Sequence, residues 1–375
     1  MKSAILFLFL AGFSIFFTAD KFLAIHDFLR LAFAAGLAFA VAIIVKKEIL
    51  PIKFVLGLIA VAAVAESLLG LGQFLKQSDL GLQFLGEPVL SSEISGVAKI
   101  VVDGAKIVRA YGTFTHPNIL AAFLISGLIS LYYFWLKTDA NIRMNTNYTN
   151  KFIRIISMYL HIGIPIGIFI ILSGLALTFS RMGWLIAALI TLILLRKHWR
   201  KLLLVGAMAA VLVLIFNPYV FARARIYSEE PAVNLRWTYN KIGWEIIKQH
   251  PFLGIGIGNQ VSYAISNGLY QKYGLEQEWQ QQPVHNIYIL IASEIGIIGL
   301  LVFGFFLLGL LIFNFQSRKG TPRSPRDFSG FSIFKTVLTS LLLFGMTDHF
   351  LWTQREGILM LWLATGILVG VSSAR

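Results

Sequence analysis

Residues 285–313 read HNIYILIASEIGIIGLLVFGFFLLGLLIF, an apolar run long enough to cross a bilayer as a helix. Residues 217–284, which come directly before it, form the longest stretch of the chain without a hydrophobic span. The contrast predicts a membrane helix bundle with one large loop on its surface. We expect this loop to carry functional residues, because it holds Arg223, Arg225 and Arg236 and leads directly to His285.

The composition of the whole chain predicts an all-α, polytopic membrane protein. Of 375 residues, 57% are hydrophobic and 13% are charged, and the mean hydropathy is +0.75. A soluble domain has about 25% charged residues. The net charge of +14 is explained by Lys and Arg in cytoplasmic loops, so no nucleic-acid partner is expected. The lack of cysteine excludes disulfides, thiolate catalysis and cysteine-ligated metals.

Apolar runs of helical length predict about ten membrane spans. They lie at 3–18, 28–45, 52–71, 117–136, 155–178, 182–195, 201–216, 286–313, 332–347 and 356–372. With the N-terminus in the cytoplasm, the cytoplasmic connections are short and strongly basic, and nearly all acidic residues lie on the other side. This is the positive-inside pattern, and it supports both the orientation and the count.

The sequence is interpreted as one transmembrane domain, 1–375, with two outer loops, 72–116 and 217–284. In the first loop, Asp103-Gly104 joins two runs of alternating hydrophobicity, which predicts a small β-hairpin. In the second, residues 233–248 place apolar side chains at helical spacing, which predicts an amphipathic helix. The loop is therefore expected to be partly helical.

Two motifs that suggest cofactors are interpreted as structural. The segment GIGIGN at 254–259 has no preceding strand and no Lys-Ser/Thr pair, so it indicates a close-packing turn rather than a phosphate loop. The histidines lack paired ligand spacing, so no metal site is expected.

The alternation of loops places several basic and histidine side chains on the outer side of the membrane. They are Arg109, His116, Arg181, Arg236, His285, His349 and Arg355. An arginine at membrane depth is costly and usually has a partner or a function. The residues alone leave other interpretations open. His285 could cap its helix or lie at the membrane interface, and Arg181 and Arg236 could extend toward lipid headgroups.

Four segments together resemble the O-antigen ligase superfamily. His285-Asn286, nine residues and then Gly296-x-x-Gly299 are similar to its His-Asn-x9-Gly-x-x-Gly signature. The other segments are RAYGTFTHPN at 109–118, TFSRMG at 178–183, and Arg236 followed by HPFLGIGIGN at 250–259. Their order along the chain and their predicted side of the membrane also fit the family.

The resemblance implies a glycosyltransferase of the GT-C type in the bacterial cytoplasmic (inner) membrane. Such an enzyme moves a glycan from undecaprenyl diphosphate to an acceptor hydroxyl at the periplasmic side, with inversion and without a metal or other cofactor. By resemblance, His285 is the catalytic base, and Arg181 and Arg236 bind the donor diphosphate. Further donor or glycan contacts are expected at four positions: Arg109, His116, Asn118 and Asn286.

The acceptor is left open by the resemblance, since members of the superfamily act on lipid A–core, polysaccharide or protein. An O-antigen ligase, a Wzy-type polymerase and a protein O-oligosaccharyltransferase are therefore all compatible with the motifs. A transporter of lipid or polysaccharide is a different class. It would show broken helices and buried charges near the middle of the membrane.

Overall fold

The computed structural model describes residues 2–144, 151–225, 231–312 and 330–373. Its helices are α1 Lys2–Phe13, α2 Lys21–Lys46, α3 Ile52–Lys76, α4 Pro117–Met144, α5 Lys151–Leu177, α6 Arg181–Leu195, α7 Trp199–Ile215, α8 Asn217–Ala224, α9 Pro231–Gln249, α10 Gln260–Ser266, α11 Leu269–Lys272, α12 Ile287–Ile312, α13 Gly330–Gly345, α14 Phe350–Thr353 and α15 Arg355–Ser373. Most of the predicted cytoplasmic connection 314–331 lies outside the described residues.

Contacts divide the chain into two compact units. The first unit comprises Met1–Ile49, Tyr227–Thr321 and Leu341–Arg375. The second unit comprises Leu50–Ile226 and Pro322–Ser340.

The multi-pass membrane character is confirmed, but a count of ten spans is not. Each of the ten predicted runs falls on a helix, yet within the described residues only α2, α3, α4, α12 and α15 are long and apolar enough to cross a membrane. The pair α7 and α8, bent by 97°, makes a sixth if counted as one span. The apolar parts of α1, α6 and α13 have 10–17 residues. They fall short of the roughly 20 that a bilayer core requires.

The predicted β-hairpin is confirmed in the second unit. Strands β1, Lys99–Val102, and β2, Ala105–Val108, pair antiparallel. Asp103 and Gly104 have φ of 49° and 83°, which is the pair of positive values that a type I′ turn requires. The hairpin is the small sheet that the alternating sequence predicts.

The membrane helices approach one another through small residues. In the first unit, α15 lies against α2, and a Cβ added to Gly366 would lie 2.3 Å from the carbonyl oxygen of Ala38. In the second unit, an added Cβ on Gly127 of α4 would lie 2.2 Å from Ala63 of α3. Small residues allow backbones to pack closely where lipid offers no hydrophobic driving force between helices.

Helix α12 is broken at Gly296, where φ is 80° and ψ is 172°. The break is filled by the loop that follows α9. The amide of Ile297 donates to the carbonyl of Pro251 at 2.8 Å. In return, the carbonyls of Ser293 and Glu294 accept from the amides of Ile255 and Gly256, at 3.1 and 2.8 Å. The loop thus supplies the backbone bonds that the broken helix lacks, and an unpaired group at membrane depth would cost several kcal/mol.

The glycines of this loop are required by its closeness to three other segments. Gly254, Gly256 and Gly258 all have positive φ. An added Cβ would lie 2.4 Å from Glu294, 2.4 Å from Thr18 and 2.5 Å from Asp27, respectively. The close packing predicted for GIGIGN is therefore confirmed, and it explains the repeated glycine without a phosphate.

We predict that Gly296→Ala destabilises the protein by at least about 2 kcal/mol, since its backbone region is open essentially to glycine alone and strain there costs about 1–3 kcal/mol. An added Cβ would also lie 2.0 Å from the carbonyl oxygen of Phe252. The unfolding midpoint in detergent measures the effect. Gly304→Ala is the matched control, because this glycine of α12 has nothing within 4 Å of an added Cβ. Equal midpoints for the two variants would contradict the prediction.

Candidate active site

His285 is positioned in the first unit by the start of α12. The side-chain oxygen of Asn286 accepts from the amides of Tyr288 and Ile289, at 2.9 and 3.2 Å, and so caps the helix. The side-chain Nδ2 of Asn286 donates to the backbone carbonyl of Met346 at 3.1 Å. These bonds fix the backbone directly after His285. They give Asn286 a structural role, and its contact with a glycan stays a prediction.

The His285 ring lies between two other rings. It is stacked on Tyr239, with 5.2 Å between ring centroids, and meets His349 edge-on at 4.6 Å. Nδ1 lies 2.9 Å from the carbonyl oxygen of Pro283. A carbonyl can only accept, so Nδ1 carries a proton. In the neutral ring, Nε2 is then the nitrogen with a lone pair, and a general base needs this tautomer.

His349 is held by the short helix α14. Its Nδ1 lies 2.5 Å from the hydroxyl oxygen of Thr353, and its amide donates to the buried carboxylate of Asp348 at 2.8 Å. The sequence analysis places His349 on the outer side but assigns it no function. The structure brings it to His285, from which it is 64 positions distant in the chain.

Both imidazoles are neutral at pH 7. Burial lowers the pKa of His285 to about 4, with further lowering from His349 and Arg236 and partial opposition from Asp348. Burial also lowers the pKa of His349, opposed by Asp348 and reinforced by Arg236. A guanidinium therefore lies close enough to act on both rings, and it disfavours a second positive charge there.

Arg236 reaches this cluster from α9, one turn before Tyr239. The amphipathic helix predicted for 233–248 is confirmed by Pro231–Gln249, with Tyr239, Ile242 and Ile246 buried. The Tyr239 hydroxyl donates to the carbonyl of Gln280 at 2.8 Å, and burial raises its pKa to about 12. Tyr239 is thus a fixed, uncharged surface against which the His285 ring rests.

Arg181 lies in the second unit, at a turn that gathers three guanidinium groups. Its Nε donates to the carbonyl of Arg223 at 2.8 Å, and the Nε of Arg223 donates to the carbonyl of Phe179 at 3.0 Å. The Nε of Arg109 donates to the carbonyl of Thr178 at 2.6 Å. The sequence assigns Arg223 no individual role. Its position in the large outer loop, near Arg225, is the only signal that distinguishes it.

The segment 109–118, which comes before and into the start of α4, also converges on this turn. The buried Arg109 donates from Nη2 to the side-chain oxygen of Asn118 at 3.0 Å. The backbone N–H of Asn118 donates to Nδ1 of His116 at 3.1 Å. Three of the four additional predicted contact residues therefore form one connected group. Within the described residues, no group of three or more potential metal ligands is found.

One family model matches part of the chain. Residues 166–304 match the family model Wzy_C, described as O-antigen ligase. The predicted resemblance to the O-antigen ligase superfamily is confirmed, and the matched segment contains Arg181, Arg236, His285 and Gly296. A search among curated proteins found no match.

We predict that stability falls as the pH is lowered from about 6.5 to about 4. An unfolded histidine has a pKa near 6.5, whereas the folded pKa of His285 is about 4. The unfolded state therefore binds more protons than the folded state between these two pH values. The free energy of unfolding decreases as the pH falls through this window. Unfolding midpoints measured from pH 7 to pH 4 give the slope.

The variant His285→Gln should show a shallower slope, because it removes one of the two imidazoles whose pKa is lowered in the folded protein. The control is His26→Gln, whose side chain is 57% exposed. Parallel curves for His285→Gln and the parent protein would contradict the assignment of the slope to His285.

Proposed function

We propose that this protein, whose residues 166–304 match the O-antigen ligase family, transfers a glycan from undecaprenyl diphosphate to an acceptor hydroxyl. The transfer takes place at the periplasmic face of the bacterial cytoplasmic membrane. The family supports an O-antigen ligase or polymerase type of membrane glycosyltransferase. The observation that carries the finer proposal is the neutral His285, whose Nδ1 lies against a carbonyl, in the electrostatic range of Arg236.

His285 acts in this proposal as the general base. Its Nε2 takes the proton of the acceptor hydroxyl while the acceptor oxygen attacks the anomeric carbon. Such proton transfer typically contributes about 10² to 10⁴ in rate. A pKa of about 4 makes His285 a weak base in the free protein. An anionic diphosphate beside Arg236 would offset the positive charge there and raise the pKa toward neutrality.

Arg236 and Arg181 act in the proposal on the donor. The bond between the anomeric carbon and the phosphate oxygen breaks, and undecaprenyl diphosphate leaves with the bonding electron pair. Guanidinium groups bind phosphate oxygens bidentately and stabilise the charge that develops on them. Attack from the face opposite the leaving group inverts the anomeric carbon. The residues named here supply the base and the positive charge that this reaction needs.

The remaining candidate residues are proposed to act mainly by positioning. Arg109 is buried and bonded to Thr178, so it holds the turn from which Arg181 starts α6. Asn118 and His116 extend this group. Asn286 caps α12 and so positions His285. Direct contacts of these four side chains with donor or glycan stay predictions.

The acceptor distinguishes a ligase from a Wzy-type polymerase or a protein O-oligosaccharyltransferase. Purified protein in vesicles would be given lipid-diphosphate glycan alone, or together with lipid A–core or an acceptor protein. Growth of a glycan ladder from the donor alone indicates a polymerase. Product that appears only with an added acceptor identifies the acceptor class.

One observation matches the transporter alternative, namely the broken α12 with the buried Glu294 beside the break. In transporters such breaks leave polar groups for the cargo. Here the carbonyls of Ser293 and Glu294 accept from the loop, and the Glu294 carboxylate accepts from the indole of Trp352 at 2.7 Å. These contacts favour a structural role. Glycan movement across vesicles without transfer would instead support a transporter.

We predict that His285→Ala and Arg236→Ala each abolish transfer while expression stays intact, because the first removes the base and the second removes positive charge from the donor site. The loss is expected to reach about 10² to 10⁴ in rate for His285→Ala. His26→Ala and Arg200→Ala serve as controls for loss of an exposed imidazole or guanidinium. Full transfer by either site variant would remove the role assigned to that residue.

Arg181→Lys tests whether the fork of the guanidinium matters beyond its charge. A lysine keeps the charge but cannot bind phosphate bidentately. Loss of one charged hydrogen bond is worth about 1.5–3 kcal/mol, so KM for the donor should rise about tenfold or more. Arg200→Lys is the matched control. An unchanged KM in Arg181→Lys would show that Arg181 does not contact the donor diphosphate.

A further inference from the structure

Helix α9 exposes a regular stripe of tryptophan and lysine on the side opposite its buried face. The Trp–Lys stripe consists of Trp237, Lys241, Trp244 and Lys248, at spacings of four, three and four residues. Trp237 is 66% exposed and Trp244 is 53% exposed. Phe252, in the turn after the helix, is 68% exposed. Large aromatic side chains in water are unfavourable, so a repeated exposed aromatic surface indicates a partner.

The stripe is not part of a protein core. The opposite face of α9 is already filled by Tyr239, Ile242 and Ile246, which pack in a cluster with Leu269 and Tyr270 of α11. The side chains of the stripe therefore point away from the body of the first unit. They have no function in the proposed chemistry either.

Two contacts set the direction of α9 relative to the membrane helix α12. A Cβ added to Gly243 would lie 2.6 Å from Ile289, and the carbonyl of Pro251 accepts from the amide of Ile297 at 2.8 Å. Pro251 lies eight residues after Gly243, and Ile297 lies eight residues after Ile289. The chain from α9 into its following turn thus runs in the same direction as α12. At a rise of 1.5 Å per residue, the second contact lies about 12 Å farther along α12 than the first.

This direction places the stripe at graded depths beside a membrane-spanning helix. Phe252 is deepest, because its carbonyl lies against Gly296, nine residues after α12 begins. Trp244 lies near the first turn of α12, and Trp237 lies still farther out. The order matches a membrane interface, in which Phe prefers the acyl region, Trp prefers the headgroup level and Lys binds lipid phosphates.

We propose that the Trp–Lys stripe and Phe252 bind the bilayer in which α12 sits. Phe252 enters the acyl region, Trp244 and Lys248 lie among anionic headgroups, and Trp237 and Lys241 lie toward water. Trp and Lys alternate over three turns, and lipid headgroups offer both an apolar boundary for Trp and phosphate anions for Lys. An apolar protein partner would cover the tryptophans but would provide no anions for the lysines. The contact would hold α9, and with it Arg236, at a constant height above the membrane. The proposal does not depend on the proposed transferase activity.

The chain lacks cysteine, so a single introduced cysteine gives a unique label without background. Phe252→Cys, Trp244→Cys and Trp237→Cys would each carry a nitroxide spin label in the full-length protein. The vesicles would contain phosphatidylethanolamine and phosphatidylglycerol. Gln271→Cys is the matched control, because it is exposed on α11, which packs on the other side of α9. Collision with oxygen reports lipid exposure, and collision with a polar nickel complex reports water exposure.

We expect the ratio of oxygen to nickel accessibility to fall in the order Phe252, Trp244, Trp237. The Phe252 ratio should be severalfold above that of Gln271→Cys. Equal ratios at all four positions would overturn the proposal, as would low access of both reagents at Trp244, since this would show a protein partner. If Phe252→Cys does not fold, Lys248→Cys replaces it, and its ratio must then exceed that of Trp237→Cys.

Discussion

The hydrogen bond from the amide of Ile297 to the carbonyl of Pro251 is the contact on which the first unit depends. It exists because α12 breaks at Gly296 and leaves backbone groups that neither lipid nor the helix itself can pair. The loop after α9 supplies those partners, and this fixes the end of α9 against α12. Since α9 carries Arg236 and α12 begins directly after His285, the same repair of the backbone places the guanidinium near the imidazole.

The electrostatics of the cluster follow from this placement. His285 and His349 touch edge-on, and Arg236 is close enough to disfavour protonation of either ring. Such a site is poorly suited to a bound cation and well suited to an anion. A neutral imidazole beside a fixed positive charge is the combination that a reaction with an anionic leaving group requires. The carboxylate of Asp348 moderates the positive potential and also orients His349 through its backbone.

In the second unit, three arginine side chains lie at the end of an apolar helix bundle. The guanidiniums of Arg109 and Arg223 donate to carbonyls of the turn 178–180, and Arg181 donates to the carbonyl of Arg223. The carbonyl oxygens of this turn and of the last turn of α8 pair with the guanidinium groups. The charged side chains therefore stay at the end of the helices and do not enter the apolar bundle. The turn itself is tight, with Phe179 at a φ of 46°. A short, rigid connection between α5 and α6 thereby becomes an anchor for three positively charged groups.

The sequence by itself determined the long apolar helices, the hairpin, the amphipathic α9 and the resemblance to the O-antigen ligase family, because each depends on local periodicity, turn chemistry or a short motif. It also named Arg181, Arg236 and His285, through the family motifs. Only the tertiary structure showed that His349 touches His285, that Arg223 joins Arg181, and that the glycines of 254–258 fill a broken helix. Hydrophobic periodicity records which face of a helix is buried, but not which distant segment buries it, and so contacts between remote segments had to come from the fold.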